Sequence, residues 1–377
     1  MATRHLRLRE AGYTIDRIAR LDADFDPETL AGSIEGFIGF AAIPLGVAGP
    51  IRINGSAAQG DFFVPLATSE GTLVASFQHA FNVMNRCGGA TALCSQERVG
   101  RAPCFEFASL VEAGQFAAWL PGQFAALAAS AAKTSRFCRL KELHSSIMGK
   151  TVYVMLEYST GDAAGQNMVT LATQSICVDL LATMPAKPFS WLVESVLSGD
   201  KRASTLAFRS ARGRNASAEV LLPAKHIARY WRADAEAMQR SWRQATIGAA
   251  QTGSVGVQAN VANAIAALFV ACGQDIACVA EAVTAVTRVE RTPAGDIYAS
   301  VTLPNLIVGT VGGGTFLPTA QECLGLLGCI GAGKARKLAE IIAVVTLAGE
   351  LAIVGAMASG VFAAAHAAGG RKGRTTP

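Results

Sequence analysis

The alternation of polar and apolar residues changes period several times along the chain, and each change marks an element. The first thirty or so residues read as a charged amphipathic helix followed by Asp22-Ala23-Asp24-Phe25-Asp26-Pro27-Glu28, turn chemistry ahead of a second short helix. From Ile38 to Pro50 no regular period survives, because Pro44 and Pro50 stand among closely spaced glycines, so the segment is expected to be a fixed loop or a plain turn. Ile51 to Ile53 and Asp61 to Val64 alternate as strands, and Ser69 is placed to cap a helix beginning at Glu70. Between about Ala102 and Leu192 a strand (Phe105 to Leu110), a helix (Gly114 to Leu127), a strand (Thr151 to Tyr158) and a helix (Asn167 to Met184) follow one another, which predicts a small inserted α/β unit. Asn260 to Val286 is apolar nearly all round; as one helix its roughly 27 residues would span about 40 Å and would have to be enclosed. A β segment from Asp296 to Val311, a tight glycine loop and two more helices complete the pattern, with no internal repeat.

Composition narrows the class. Of 377 residues, 51% are hydrophobic and 16% charged, which suits a buried, helix-rich enzyme and excludes a disordered or fibrous chain. The net charge of +5 is mild and the basic residues do not cluster with aromatics, so an anionic small ligand fits better than nucleic acid. Nine cysteines, an odd number without a CxxC pair, point to reduced thiols in a cytoplasmic setting and to no metal site. The basic N-terminus is followed by no apolar signal core. Leu338 to Ala368 is apolar enough to raise the membrane question, but Glu340, Glu350 and the recurring Gly349, Gly355 and Gly360 favour an interior helix.

Several polar residues stand where their surroundings make them informative. Asp275, in Val270-Ala-Cys-Gly-Gln-Asp-Ile-Ala-Cys-Val279, would be costly to bury unpaired and must be hydrogen-bonded, ion-paired or protonated; a structural ion pair is the plain alternative to a functional one. Asn260 and Asn263 add polar groups to one face of the same apolar run. Asp200-Lys201-Arg202 could be no more than a solvated turn ahead of a β-like stretch, Leu206 to Arg209. The loop from Gly161 to Met168 follows a strand and opens a helix, so its N–H groups could face a phosphate. His366, in an alanine-rich helix end, reads alone as a surface or capping residue. Gly328 to Lys334 begins like a Walker A loop, yet Ala335 replaces the magnesium-holding hydroxyl and no strand precedes it.

Taken together these frames resemble the catalytic portion of the 3-hydroxy-3-methylglutaryl-CoA reductase family, from about Glu35 to Arg371. Asp200-Lys201-Arg202, Phe208, Arg212-Gly213-Arg214, Glu219 and Pro223-Ala224-Lys225 match, without a gap, its Asp-Lys-Lys segment, downstream aromatic, Arg-Gly-Lys turn and Pro-Ala-Lys, which the decoy Lys187-Pro188 does not. Gly161-Asp-Ala-Ala-Gly-Gln-Asn-Met168 is similar to its nucleotide loop, and Thr310 to Thr315 to a further signature. The resemblance implies an α+β protein: a large helix-rich domain (residues 35–101 and 193–377) built around a long central buried helix, a small inserted ferredoxin-like nucleotide-binding domain (102–192), and a helical appendage (1–34). It implies reduction of 3-hydroxy-3-methylglutaryl-CoA to mevalonate and CoA with two NADPH, catalysed by Glu70, Lys201, Asp275 and His366. Ser135, Arg136, Asp162, Ala164, Gly165, Gln166 and Asn167 would hold NADPH, and Arg136 carries the preference over NADH because a guanidinium grips a phosphate bidentately. Arg101, Asp200, Arg202, Asn263 and, as a further addition, Arg243 would contact the acyl portion, and Arg371 the CoA. A homodimer or a dimer of dimers, with the active site at the subunit interface and no membrane, is also implied.

The departures fall on substrate and CoA contacts. Gln78-His79-Ala80 stands where relatives have Asn-Arg-Gly, Arg202 and Arg243 replace lysines, Gly36 replaces an Asn, the Ser before the Asp-Lys pair is Ser195 or Ser198, and Ala365 precedes His366 where a Ser is usual. Three functions therefore stand side by side: the mevalonate-forming reductase, a reductase of a related acyl-CoA thioester, and a non-catalytic acyl-CoA-binding protein. Retention of all four catalytic positions argues against the last.

Overall fold

The fold is that of a computed structural model describing residues 1–12, 14–17, 19–20, 25–30, 32–209 and 212–360, so His366 and Arg371 lie outside the described residues. The chain divides into two units, residues 1–45 and 46–377. In the first, α1 (Ala2–Glu10) and a 3-10 turn (Pro27–Leu30) accompany an edge-on cluster of Phe25, Phe37 and Phe40, and Arg4 Nε donates to the Phe37 carbonyl at 3.1 Å.

The second unit is organised on a ten-stranded sheet. Its elements are β1 (Leu45–Gly55), β2 (Gln59–Ala67), α2 (Leu73–Arg86), β3 (Ala90–Arg101), β4 (Cys104–Glu106), α3 (Leu110–Trp119), α4 (Phe124–Thr134), β5 (Arg139–Met148), β6 (Thr151–Ser159), α5 (Gln166–Thr183), β7 (Ser190–Leu192), β8 (Gly213–Leu222), α6 (Ala224–Trp231), α7 (Ala235–Thr252), α8 (Val261–Ala271), α9 (Val279–Ala282), β9 (Val286–Arg291), β10 (Ile297–Leu306), α10 (Pro318–Leu326) and α11 (Ala335–Ala358). The strands run in the order β7-β4-β6-β3-β8-β10-β9, with β5 beside β6 and the β1–β2 pair joined in parallel to β3. Strand β3 is the hinge of this order: Thr91 to Arg98 pair with β8, and its last residues, Val99 to Arg101, pair with β6.

The core lies under α11, which packs on β3, β8 and β10 and is enclosed by α2, α7 and α8. By length and composition α11 could cross a membrane, but here it is the interior helix, with Leu338, Ile341, Val344, Val345 and Leu351 at most 1% exposed. Its two acids are buried and satisfied. Glu340 accepts from the Ala57 and Ala58 N–H groups at 2.8 Å and from Ser56; Glu350 accepts from Ala259 at 3.0 Å, Asn260 and the Thr287 hydroxyl at 2.8 Å.

Several expected elements differ, each for a physical reason. The long helix over Asn260 to Val286 is broken: α8 ends at Ala271 because Gly273 takes a φ of +63° against the Gly314 backbone, where a Cβ would lie 2.3 Å from a carbonyl oxygen. The long central helix is α11 instead. Helix α2 begins at Leu73 rather than Glu70, with Thr72 left-handed at its start and no side-chain cap. The Pro44 to Pro50 segment is partly β1, which pairs with β2 and meets β3 only from Ile53 onward. Leu206 to Arg209 is no strand; Ser204 caps a 3-10 turn over Thr205–Phe208. The helix expected over Gly114 to Leu127 is interrupted at Pro121 by a 3-10 turn, and β5, unforeseen, follows it.

Candidate active site

Lys201 and Asp275 meet as an ion pair. Asp275 follows the Gly273 turn and caps a 3-10 turn, its Oδ1 accepting the Ala277 N–H at 3.0 Å. Its Oδ2 stands 3.0 Å from Lys201 Nζ and accepts the Gln166 amide at 2.9 Å. The expectation of a buried carboxylate fails here, since the side chains of Lys201 and Asp275 are 43% and 40% exposed; the helix break carries Asp275 out of the apolar run. The Asp275 carboxylate holds the Lys201 ammonium above the ordinary lysine pKa, keeping it charged.

Beneath this exposed pair lies a buried ionic layer. Arg212, 2% exposed, donates to the Gly100 carbonyl at 2.8 Å, to Gln166 Oε1 at 2.6 Å and to Asp200, and its Nε faces Glu281 Oε2 at 2.7 Å. Arg101 donates to Asp200 Oδ2 at 2.9 Å, to Glu194 at 3.3 Å and to the Gln166 carbonyl at 3.3 Å. Glu281 is fully buried, and that burial pushes its pKa up to about 7 although the Arg212 guanidinium beside it pulls the other way. Of this layer, sequence reasoning singled out Arg101, Asp200 and Gln166, named Arg212 only as part of the matching frame and without a site role, and missed Glu194 and Glu281. A lone acid in Val279-Ala-Glu-Ala-Val283 was the available signal for Glu281.

Glu70 and Asn263 stand elsewhere. They line one cleft of about 220 Å³, with Thr72, Ser76 and Asn260, between α2, α8 and α11. Asn263 Nδ2 donates to Asn260 Oδ1 at 2.7 Å. Neither Lys201 nor Asp275 is on the cleft wall, so within one chain the described catalytic candidates form two groups. Arg202 is exposed and turned back on the Asp200 carbonyl at 3.0 Å, and Arg243 is exposed on α7, which packs on β9 and α11.

The expected cofactor residues gather around the Gly161 loop. Phe137 lies beside it, 4.0 Å from where a Cβ on Gly161 would sit, so the Ser135-Arg136 turn and the loop are neighbours. The Ser135 hydroxyl accepts the Phe137 N–H at 3.2 Å, and Arg136 stacks on the Phe137 ring at 4.8 Å without an ion pair among the described residues. Gly165 caps α5 at φ +84°, with Thr160 so close that a Cβ would lie 2.4 Å from its methyl; Asn167 is exposed in the first turn. Ala164 packs against Gly309. Two side chains are engaged otherwise than expected. The Asp162 carboxylate accepts the Gly333 and Ala335 N–H groups at 2.7 and 3.0 Å at the start of α11, where the helix dipole favours an anion, and the Gln166 amide belongs to the Lys201–Asp275 group. The decoy loop before Lys334 thus receives a carboxylate of the protein itself.

The chain is similar to known proteins over nearly its whole length. A family-wide sequence profile described as hydroxymethylglutaryl-coenzyme A reductase matches residues 2–371. The 3-hydroxy-3-methylglutaryl-coenzyme A reductase of Methanocaldococcus jannaschii is 39% identical over 369 residues, 96% of this chain and 90% of that one. That of Haloferax volcanii is 38% identical over 376 residues, 98% of this chain and 92% of its own. In fold, the chain is similar to the class II reductase of Streptococcus pneumoniae solved with NADPH in open conformations, with a TM-score of 0.71 at 20% identity over 94% of this chain and 96% of that one.

Proposed function

Since the chain belongs to the hydroxymethylglutaryl-coenzyme A reductase family, we propose that it reduces 3-hydroxy-3-methylglutaryl-CoA to mevalonate and free CoA at the expense of two NADPH. The observation that carries this is the Lys201 ammonium, exposed, kept charged by Asp275 and seated on a buried ionic layer.

The residues around Gly161 fit NADPH. Arg136 presents a guanidinium with no ion pair among the described residues, on an aromatic shelf, suited to a ribose phosphate, and the start of α5 presents N–H groups suited to a pyrophosphate. When bound, NADPH supplies the hydrides. Lys201 holds the thioester oxygen as negative charge develops on it, a preorganised donor needing no rearrangement during reaction. Asp275 fixes that ammonium in place and is held in turn by Gln166. His366 protonates the CoA thiolate as it leaves, and Glu70 gives a proton to the oxygen of the aldehyde as the alcohol forms.

The separation of Glu70 and Asn263 from Lys201 and Asp275 supports a homodimer in which each site takes the first pair from one subunit and the second from the other. A second reading, an altered acyl-CoA, is favoured by one observation: where relatives place an arginine, His79 sits edge-on to Trp231 with ring centres 5.9 Å apart.

The test is NADPH oxidation with 3-hydroxy-3-methylglutaryl-CoA, beside NADH, other acyl-CoAs and Lys201→Ala. Two NADPH consumed per CoA released, lost in the variant, is the expected result; turnover only with another acyl-CoA would favour the second reading. Mixing inactive Glu70→Ala and Lys201→Ala proteins should restore about a quarter of wild-type activity if subunits share the site and exchange freely. A mixture that stays inactive despite exchange rejects the shared site.

A further inference from the structure

Lys201 is held by its backbone as well as by its side chain. Its φ is +55°, the left-handed region that a lysine occupies only when its surroundings over-determine it. The group that does so is Glu281, at 0% exposure on α9, whose Oε1 accepts the Lys201 N–H at 3.2 Å while its Oε2 faces Arg212 Nε at 2.7 Å. Arg212 reaches on to Asp200, the residue before Lys201, and to Gln166, whose amide meets the same Asp275 oxygen that the Lys201 ammonium approaches. The contacts close a circuit: Lys201 backbone, Glu281, Arg212, Gln166, Asp275, Lys201 ammonium.

We propose that Glu281 is a positioning residue for the reduction, fixing the Lys201 backbone so that the ammonium stands where charge develops on the substrate oxygen; this rests on the oxyanion role given to Lys201 above. A carboxylate is required because one oxygen accepts the Lys201 N–H while the other carries the charge that pairs with the Arg212 guanidinium, so two groups converge on it. A glutamine offers one acceptor and must turn its own amide donors towards one of them. Of the neighbouring titratable groups, Asp200 is already held by Arg101 and Arg212, and Cys278, whose Sγ receives the Gln166 amide, is also hydrogen-bonded to Glu281 itself.

The experiment compares the wild-type enzyme with Glu281→Gln, a change of nearly equal volume, in 3-hydroxy-3-methylglutaryl-CoA reduction and in hydrogen exchange at the Lys201 amide. The variant should lose about tenfold or more in kcat, as a displaced catalytic group does, while KM for both substrates moves by less than about threefold, NADPH binding stoichiometry is unchanged and the Lys201 amide exchanges faster. A kcat within about threefold of wild type overturns the proposal, as does a parallel loss of NADPH binding sites, which would mark a merely structural role. Should the variant fail to fold, wild-type exchange decides: slow exchange at the Lys201 amide upholds the backbone anchor, and exchange as fast as in a free loop refutes it. A wild type that folds but reduces no acyl-CoA would instead sink the functional reading, leaving the exchange comparison to judge the anchor alone.

Discussion

Asp275→Asn separates stability from catalysis. Both side chains of the Lys201–Asp275 pair are about two-fifths exposed, so the pair contributes about 1 kcal/mol or less to folding. Asparagine caps a helical turn as well as aspartate does, so the Ala277 N–H keeps its acceptor. The melting temperature should therefore fall by no more than about 4 °C. Catalysis should fare otherwise, because the new amide cannot serve as an acceptor at both oxygens and the ammonium loses its anchoring charge. A misdirected oxyanion donor costs about 10²–10³ in kcat, or 2.7–4 kcal/mol. The pH profile should move as well. Asp275 raises the Lys201 pKa, so the charged ammonium persists to higher pH in the wild type, and the variant should lose activity at lower alkaline pH. The same sign holds for stability: the pair's small contribution is complete below the ordinary lysine pKa and disappears as pH rises through the raised one. Steady-state kinetics and calorimetry on the same preparation check both arms. A kcat within about threefold of wild type, or a melting temperature lowered by more than about 10 °C, would refute the reasoning.

Arg136→Ala should raise KM for NADPH by about tenfold or more while leaving KM for NADH within about twofold, measured by paired titrations, because only the phosphorylated cofactor uses the guanidinium. Phe77→Ala should cost about 3–5 kcal/mol in urea unfolding, since its ring is 1% exposed and packed against Gly349 of α11; a loss below about 1 kcal/mol would contradict that packing. Glu350→Ala should cost on the order of 3 kcal/mol by stranding the Ala259 and Asn260 N–H groups and the Thr287 hydroxyl. Burial raises the Glu350 pKa, so the folded chain holds this proton more tightly than the unfolded one. The stability gap to the variant should accordingly narrow as pH climbs from the ordinary carboxylate range towards the raised value, and a gap that widens would reverse the sign.

What was legible in the sequence depended on whether a local frame or a distant contact decides the outcome. Lys201 was singled out through its downstream neighbours in one gapless frame, and the structure sets it on Asp275; the loop from Asp162 to Asn167 was singled out by its place between a strand and a helix, but that local frame did not show Asp162 turned to α11 or Gln166 turned to Asp275. The extent of α8 was not legible, because an apolar run does not reveal that Gly273 must pass close to Gly314, a neighbour forty-one positions away. Strand β5 escaped because its Lys141, Glu142, His144 and Ser145 leave little apolar alternation on a face that is largely exposed. Glu281 escaped because its two partners, the Lys201 N–H and the Arg212 guanidinium, are brought to it only by the folded topology. The cap at Glu70 was misplaced by three residues since Ser69 looks like an N-cap, yet the chain turns left-handed at Thr72 before the helix starts.

Helix α11 sets distances as well as filling the core. Asp162 of the Gly161 loop grips its first turn, the β1–β2 turn is pinned at Glu340, and the entry to α8 is pinned at Glu350. The last two pins are ten residues apart, about 15 Å of helix, so their spacing is set by the rise per residue and not by any loop. α11 is therefore a gauge with three marks. Substitutions of equal volume along it leave the marks where they are, whereas one inserted residue between them rotates the later mark by about 100° and points Glu350 away from the α8 entry. Its evolution should accept changes in residue identity far more readily than any change in length.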